Sequence, residues 1–203
     1  MERVQQLQQL LSPVPPQSSA PAVTAAAPAD ASSSFASALQ TASTPVTMTQ
    51  APTTGGGTPA GQAIVKAAEG EVGVAEQPPG SNDSPRIAQY RQATAGSGVG
   101  PWCAYFTSWA ARQAGVPLGD HGQGFGAVAS VWQWAQQSHK ALPAGSKPAP
   151  GDLIVWGSEH IGIVESVDPN GTIHTIEGNS SDRVSKRTYG PDGGGATGYV
   201  RLG

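Results

Sequence analysis

The spacing of hydrophobic residues changes near position 140. Between positions 61 and 138, apolar residues recur every three to four positions, which predicts helices over GQAIVKAAEGEVG, SPRIAQYRQ, PWCAYFTSWAARQAG and GAVASVWQWAQQS. After the loop LPAGSKPAPG they recur at every second position in DLIVW, HIGIVESV and TIHTIEG, which predicts strands, the last two joined by the turn DPNG. Helices followed by an antiparallel sheet indicate an α+β fold.

Capping residues indicate where these helices begin and end. Ser84 and Pro85 suit the N-cap and the first position of the second helix. Gly100 and Pro101 suit the same positions of the third helix, and Gly115 suits its C-terminal end. The inward face of the first helix is predicted to carry Ile64, Ala68 and Val72.

The first 60 residues show no comparable periodicity. They contain very few charged residues, no Trp or Tyr, and many Ala, Ser, Thr and Pro residues. A segment of this composition does not bury enough apolar surface to offset the loss of chain entropy. The sequence therefore predicts a disordered tail at 1–60 and one folded domain at 61–203. Two apolar islands in the tail, RVQQLQQLL and SSFASALQ, are either incidental or form a docking or export element.

Composition and charge exclude several classes of partner. Charged residues make up 12% of the chain and the formal net charge is -3, so no basic patch is available for nucleic acid or anionic lipid. No apolar run approaches the length that spans a membrane, and the N-terminus lacks the basic and apolar regions of a signal peptide. We expect a soluble protein with no nucleic-acid partner, no membrane span and no standard secretion signal.

Cys103 is the only cysteine in the chain, which excludes an internal disulfide. With Gly100 as the cap, it falls in the first turn of the third helix, where free backbone N–H groups and the helix dipole favour a thiolate. The same N–H groups suit the oxyanion of a tetrahedral intermediate. Taken alone, a single cysteine is more often a small hydrophobe that fills the core.

His160 is the candidate base for such a nucleophile. It opens the strand HIGIVESV, where its side chain can face the end of a helix packed on the sheet, whereas the other three histidines lie in a loop, at a helix end or in mid-strand. The next strand ends in IEGN, which is expected to place Glu177 and Asn179 on one face. A carboxylate there would hold the imidazole and stabilise its charged form. The alternatives are a solvated charge for Glu177 and a turn residue for Asn179.

Together these segments resemble the CHAP family of cysteine, histidine-dependent amidohydrolases and peptidases, a papain-like group. The resemblance covers residues 61–203 and rests on PWCAYFTSW, PGDLIVW, HIGIVESV and IEGN in family order. It implies a papain-like fold with N-terminal helices packed on an antiparallel β-sheet. It also implies Cys103 as nucleophile, His160 as general base and acid, Glu177 as the orienting group and Asn179 as a supporting polar residue. The related NlpC-type peptidases fit less well, because they usually follow the cysteine with Ser-Gly and use histidine as the third residue.

The resemblance implies an enzyme that hydrolyses an amide bond of peptidoglycan. The bond lies either in the stem or cross-bridge peptide (endopeptidase) or between muramic acid and L-alanine (N-acetylmuramoyl-L-alanine amidase). No cofactor is required, and zinc is not expected because zinc-binding spacings are absent. Some relatives bind calcium in an acidic loop before the cysteine, but QATAGSGVG has no carboxylate there, so no metal is expected at that place. Glu76 and Asp83 in EQPPGSND are the alternative position for calcium. Trp102 and Trp156 either wall a substrate groove or fill the core, and Asn82 either contacts substrate or makes a turn. A non-catalytic binding or assembly module on the same fold is the alternative from another functional class.

The route to the cell wall is left open by the sequence. The tail resembles the N-termini of flagellum-associated wall hydrolases, which implies flagellar export and clearance of a hole for the rod. A phage or virion-associated lysin is the alternative, delivered without a signal peptide and cytoplasmic before release. We therefore expect action in the periplasm or cell wall, with peptidoglycan as partner and, through the tail, the flagellar or secretion apparatus.

Overall fold

The computed structural model describes residues 56–203. They form an α+β fold with four helices and a six-stranded sheet. None of these helices is long and apolar enough to cross a membrane. The two apolar islands of the predicted tail lie outside the described residues, as does the tail itself up to position 55.

The four helices are α1 (Pro59–Glu69), α2 (Pro85–Arg91), α3 (Cys103–Gln113) and α4 (Val128–Gln137). Thr58 caps α1, and its side chain accepts the backbone N–H of Gly61 at 2.9 Å. Ser84 caps α2 by accepting the N–H of Ile87 at 3.2 Å, and Pro85 follows at the first position, as predicted.

The first helix is shorter than its pattern indicated. It ends at Glu69, and the chain then turns through Gly73, which has a φ of 95°. Glycine favours this left-handed conformation, so the second glycine of GEVG supports a turn where helix was predicted. Val72 consequently lies outside the helix and is 43% exposed, so its predicted inward position is wrong.

The third helix begins later than predicted and ends as predicted. Its first residue is Cys103, with Trp102 as N-cap, so Pro101 precedes the helix instead of opening it. Trp102 has a φ of -116° and a ψ of 15°, outside helical geometry, and its fully buried indole holds it there. At the other end Gly115 has a φ of 76°. Its backbone N–H and that of Val116 donate to carbonyl oxygens in the last turn of the helix.

The strands are β1 (Ala141–Pro143), β2 (Leu153–Trp156), β3 (His160–Val167), β4 (Ile173–Glu177), β5 (Ser185–Tyr189) and β6 (Gly198–Val200). They form one antiparallel sheet in the order β1-β6-β2-β3-β4-β5. The central strands β2, β3 and β4 coincide with the three predicted strands. The other three were not predicted, because they are short or, like the edge strand β5 with its sequence SKRTY, lack alternating apolar residues.

Apolar residues pack on both faces of the sheet. Along β2, Leu153 and Val155 belong to a large cluster shared with the helices, whereas Ile154 belongs to a smaller cluster built around Tyr199. The helix α3 lies in the large cluster, and all of its residues from Cys103 to Ala111 are buried. The start of α3 is therefore held rigidly in the core.

One glycine sets the distance between α3 and the end of β4. A Cβ atom at Gly178 would lie 2.6 Å from the Cβ of Phe106, closer than real Cβ contacts allow. Gly178 directly follows the last residue of β4, and Phe106 lies in the first turn of α3. This close approach brings Cys103 and Glu177 to the same region of the molecule.

Candidate active site

Cys103 occupies the first position of α3 and is 3% exposed. The side chain of the N-cap residue Trp102 makes no capping hydrogen bond, so it provides no acceptor for the N–H groups of the first turn. These groups and the positive end of the helix dipole favour negative charge beside the thiol. The position suits both a thiolate and an oxyanion.

His160 is the first residue of β3 and lies between a thiol and a carboxylate. Its Nε2 is 2.9 Å from Oε2 of Glu177, and the imidazole also interacts with Cys103. Trp156, the cross-strand neighbour of His160 in β2, stacks on the imidazole with ring centroids 5.5 Å apart. The Trp156 indole N–H donates to the carbonyl oxygen of Gly193 at 2.8 Å. The plane of the imidazole is thus fixed by a ring that is itself anchored.

Glu177 ends β4 and is 1% exposed. Its Oε1 accepts the hydroxyl hydrogens of Thr175 at 2.6 Å and Tyr189 at 2.9 Å, which leaves Oε2 for His160. A Cβ at Gly162 in β3 would lie 2.7 Å from the Cγ of Glu177. The missing side chain at Gly162 gives the carboxylate room beside the neighbouring strand.

The charges of His160 and Glu177 follow from their burial and their contacts. Burial acts to lower the pKa of His160, but the interactions with Cys103 and Glu177 outweigh it and raise that pKa to about 9. Burial acts to raise the pKa of Glu177, and the hydrogen bonds from His160, Thr175 and Tyr189 reverse this, so that pKa lies below its ordinary value. Near neutral pH the arrangement therefore carries a carboxylate at Glu177 and an imidazolium at His160.

The three residues expected to contact substrate have different surroundings. Trp102 is fully buried, donates its indole N–H to Oε1 of Glu76 at 2.8 Å and packs on Tyr90, so it does not line a groove. Trp156 is half-buried and supports the imidazole. Asn82 is half-buried in a turn with a φ of 54°, and its backbone N–H donates to Oε2 of Glu76 at 2.8 Å. Substrate contact by Trp156 and Asn82 stays a prediction.

Asn179 does not share the face of Glu177 in the way the spacing suggested. It lies beyond the end of β4 and has a φ of 58°, which ends the alternation of side chains along the strand. Within residues 56–203 no hydrogen bond joins its side chain to His160 or Glu177. A supporting role for Asn179 stays a prediction.

The residues that hold Glu177 and Trp102 were missed by the sequence analysis. Thr175 lies two positions before Glu177 on the same strand face, so the period of two was a usable signal for it. Tyr189 comes from the unpredicted strand β5, and Glu76 lies 26 residues before Trp102. Neither contact has a local sequence signal, because both depend on how distant segments pack.

The His, Cys, Asp and Glu side chains of the described residues do not form a metal-binding group. No set of three or more His, Cys, Asp or Glu side chains is arranged there to hold a metal ion. The acidic side chains near the site instead bind hydrogen-bond donors of the protein, as Glu177 and Glu76 do.

Comparison with known proteins identifies the class to which this fold and site belong. Residues 94–179 match the model of the CHAP domain family, a range that includes Cys103, His160 and Glu177. The chain therefore contains a CHAP domain. No curated protein and no solved structure matches the chain significantly.

The CHAP domain indicates an activity of the amidase or peptidase type that acts on peptidoglycan. CHAP domains are typically cysteine- and histidine-dependent amidohydrolases. Cys103 is the only cysteine that this chain offers for such chemistry.

Proposed function

We propose that this protein hydrolyses an amide bond in the peptide part of peptidoglycan through Cys103, His160 and Glu177. The observation that carries the proposal is the position of His160, which interacts with the thiol at the start of α3 and binds a buried carboxylate 2.9 Å away. A cysteine nucleophile requires a neighbouring base that is itself oriented by a third group. The contacts of His160 with Cys103 and with Glu177 support this assignment.

In the first step the Cys103 thiolate attacks the carbonyl carbon of the scissile amide. The carbonyl oxygen becomes an oxyanion, which the free N–H groups of the first turn of α3 stabilise. When the C–N bond breaks, the imidazolium of His160 protonates the leaving amine, and the acyl group remains on sulfur as a thioester. The raised pKa of His160 keeps the required proton on the ring at neutral pH.

In the second step water hydrolyses the thioester. Neutral His160 accepts a proton from water as it attacks the thioester carbonyl carbon, and the thiolate of Cys103 departs. The products are a carboxylic acid and the original thiolate–imidazolium pair. Glu177 stays ionised throughout because Thr175 and Tyr189 donate to it, and it holds the imidazole in one orientation.

The other histidines of the described domain have different surroundings. His174 binds Asp168 at 3.0 Å in an exposed pair, and His121 lies in an exposed turn. His139 follows α4 with a φ of 57°. Within residues 56–203, His160 is the histidine that interacts with Cys103, which favours His160 as the base.

The proposal is tested by mass spectrometry of purified peptidoglycan after incubation with the wild type and with Cys103→Ala. Soluble fragments from the wild type alone are expected, and their new termini identify the bond as a stem peptide, cross-bridge or muramoyl–alanine amide. Because alanine fills less volume than cysteine without adding a polar group, the variant should remain folded.

Peptidoglycans of several cross-bridge types are needed, since a mismatch of substrate would otherwise resemble inactivity. Absence of fragments from every type would favour a binding or assembly module on the CHAP fold. Equal release by Cys103→Ala would contradict thiol catalysis. Delivery by flagellar export or by a phage stays a prediction from the sequence, because it rests on the tail.

A further inference from the structure

Glu76 is a buried carboxylate for which the proposed mechanism has no use. It is 3% exposed and lies in the connection between α1 and α2. Both of its oxygens accept hydrogen bonds: Oε1 from the indole N–H of Trp102 and Oε2 from the backbone N–H of Asn82, each at 2.8 Å. The acid thus joins two segments that are distant in sequence.

The other buried acids of the described domain have cationic partners. Glu71 pairs with Arg86, Asp152 with Arg201, and Glu177 with His160. No ion pair within residues 56–203 involves Glu76, and its two hydrogen-bond donors, an indole N–H and a backbone N–H, are uncharged. Burying a carboxylate without a cation is costly. Such a group is expected to be retained where its geometry serves a purpose.

We propose that Glu76 is a positioning residue that fixes the start of α3, and with it the thiol of Cys103. Trp102 is both the hydrogen-bond partner of Glu76 and the N-cap that directly precedes the nucleophile. Its own backbone is not helical and its side chain supplies no cap. The indole N–H is therefore the polar link by which the core holds this end of the helix.

The second oxygen of Glu76 extends this link to the turn at Asn82. That turn contains a left-handed residue, and the N–H of Asn82 is bound by the carboxylate. A single side chain thereby holds the turn and the helix start in one arrangement. This inference rests on the proposed function, because it assigns a purpose to the placement of Cys103.

The test is the rate at which iodoacetamide alkylates Cys103, followed by intact mass between pH 6 and 9. Since this is the chain's only cysteine, the added mass reports one thiol. In Glu76→Gln the amide cannot accept from both donors, so the helix start loosens. We expect alkylation at neutral pH to be roughly tenfold slower and kcat on peptidoglycan to fall 10- to 100-fold, with KM little changed.

The direction in which Glu76→Gln changes the alkylation rate distinguishes a positioning role of Glu76 from an effect of its charge. Removing the negative charge of Glu76 would by itself favour the thiolate and speed alkylation. A folded Glu76→Gln protein that alkylates as fast as the wild type, or faster, overturns the proposal. Trp102→Phe removes the donor of the same hydrogen bond. If the two residues act through this bond, the double variant Glu76→Gln/Trp102→Phe should be alkylated no more slowly than the slower of the two single variants. If Glu76→Gln fails to fold, Trp102→Phe decides the question by the same rate.

Asp152→Asn is the matched control, because Asp152 is equally buried at 3% and lies at the far end of β2 from Trp156. It should lower the melting temperature and leave the alkylation rate unchanged. Alkylation needs no peptidoglycan, so the two proposals fail separately. A wild type that reacts no faster than free cysteine counts against the proposed function, whereas a fast wild type with an equally fast Glu76→Gln counts only against Glu76.

Discussion

At the scale of single residues, the pH behaviour of the site depends on how Glu177 is held. Tyr189→Phe removes one of the two hydroxyl donors to Oε1 of Glu177 and keeps the ring beside Trp156. The carboxylate loses stabilisation, so the pKa of Glu177 rises and the acid side of the pH–rate profile moves to higher pH. We expect kcat/KM at neutral pH to fall by about tenfold.

Tyr90→Phe is the control for this variant. It removes a tyrosine hydroxyl that donates to a different carboxylate, Oε2 of Glu71 at 2.6 Å. Its melting temperature should fall while its pH–rate profile matches that of the wild type. A profile shifted equally in both variants would show that a general loss of stability, and not the bond to Glu177, is responsible.

We expect the pKa of His160 to set the alkaline limit of activity. Activity should decline as the pH passes about 9, because the imidazolium that protonates the leaving amine then loses its proton. Glu177→Gln removes the charge that stabilises the imidazolium, so the pKa of His160 falls and the decline begins at lower pH. An alkaline limb that stays in place in this variant would contradict the assignment.

The same raised pKa has a consequence for stability. A group whose pKa is higher in the folded state stabilises that state fully below its unfolded pKa of about 6.5. For His160 this contribution is lost as the pH rises through about 9. The difference in melting temperature between the wild type and Glu177→Gln should therefore be larger at pH 6 than at pH 10, as measured by circular dichroism.

At the scale of elements, the spacing of β3 and β4 determines where the carboxylate lies. Gly162→Ala would place a Cβ 2.7 Å from the Cγ of Glu177, which must then move. We expect activity to fall more than tenfold and the free energy of unfolding to fall by about 1–3 kcal/mol, as for other overpacked sites. Initial rates and thermal unfolding on the same preparation separate the two effects.

Gly145→Ala controls for the loss of a glycine, since no atom beyond the two chain neighbours lies within 4 Å of a Cβ at that position. It should leave both activity and stability near the wild-type values. If Gly162→Ala retains full activity, Glu177 does not need its observed position.

At the scale of the whole molecule, the N-terminal edge of the folded domain lies slightly before residue 61. Thr58 caps α1, and its hydroxyl also donates to the carbonyl oxygen of Leu202 at 3.4 Å. A chain that begins at Gly61 lacks both contacts and should lose about 1 kcal/mol of stability. A chain that begins at Gly56 keeps them and should match the full chain in melting temperature and in activity per molecule.

Thr58→Ala in the full chain serves as the reference for these two chains. The stability that this variant loses should account for most of the difference in stability between the chain that begins at Gly61 and the chain that begins at Gly56. If the chain beginning at Gly56 fails to fold, residues before position 56 take part in folding, and the predicted division into tail and domain is wrong.

The sequence by itself determined the local features of this protein. The ends of α2, the C-terminal end of α3 and the strands β2 to β4 follow from capping residues and apolar periods, which act over a few neighbouring positions. The pattern also singled out Cys103, His160 and Glu177, because each lies at the end of an element.

Only the tertiary structure decided which side chains support these three. The bonds from Tyr189 to Glu177 and from Trp102 to Glu76 join residues 12 and 26 positions apart. The edge strand β5, which carries Tyr189, has exposed polar residues and therefore no apolar period to reveal it. Contacts of this kind arise from the packing of distant segments, and hydrophobic periodicity reports only the burial of each segment by itself.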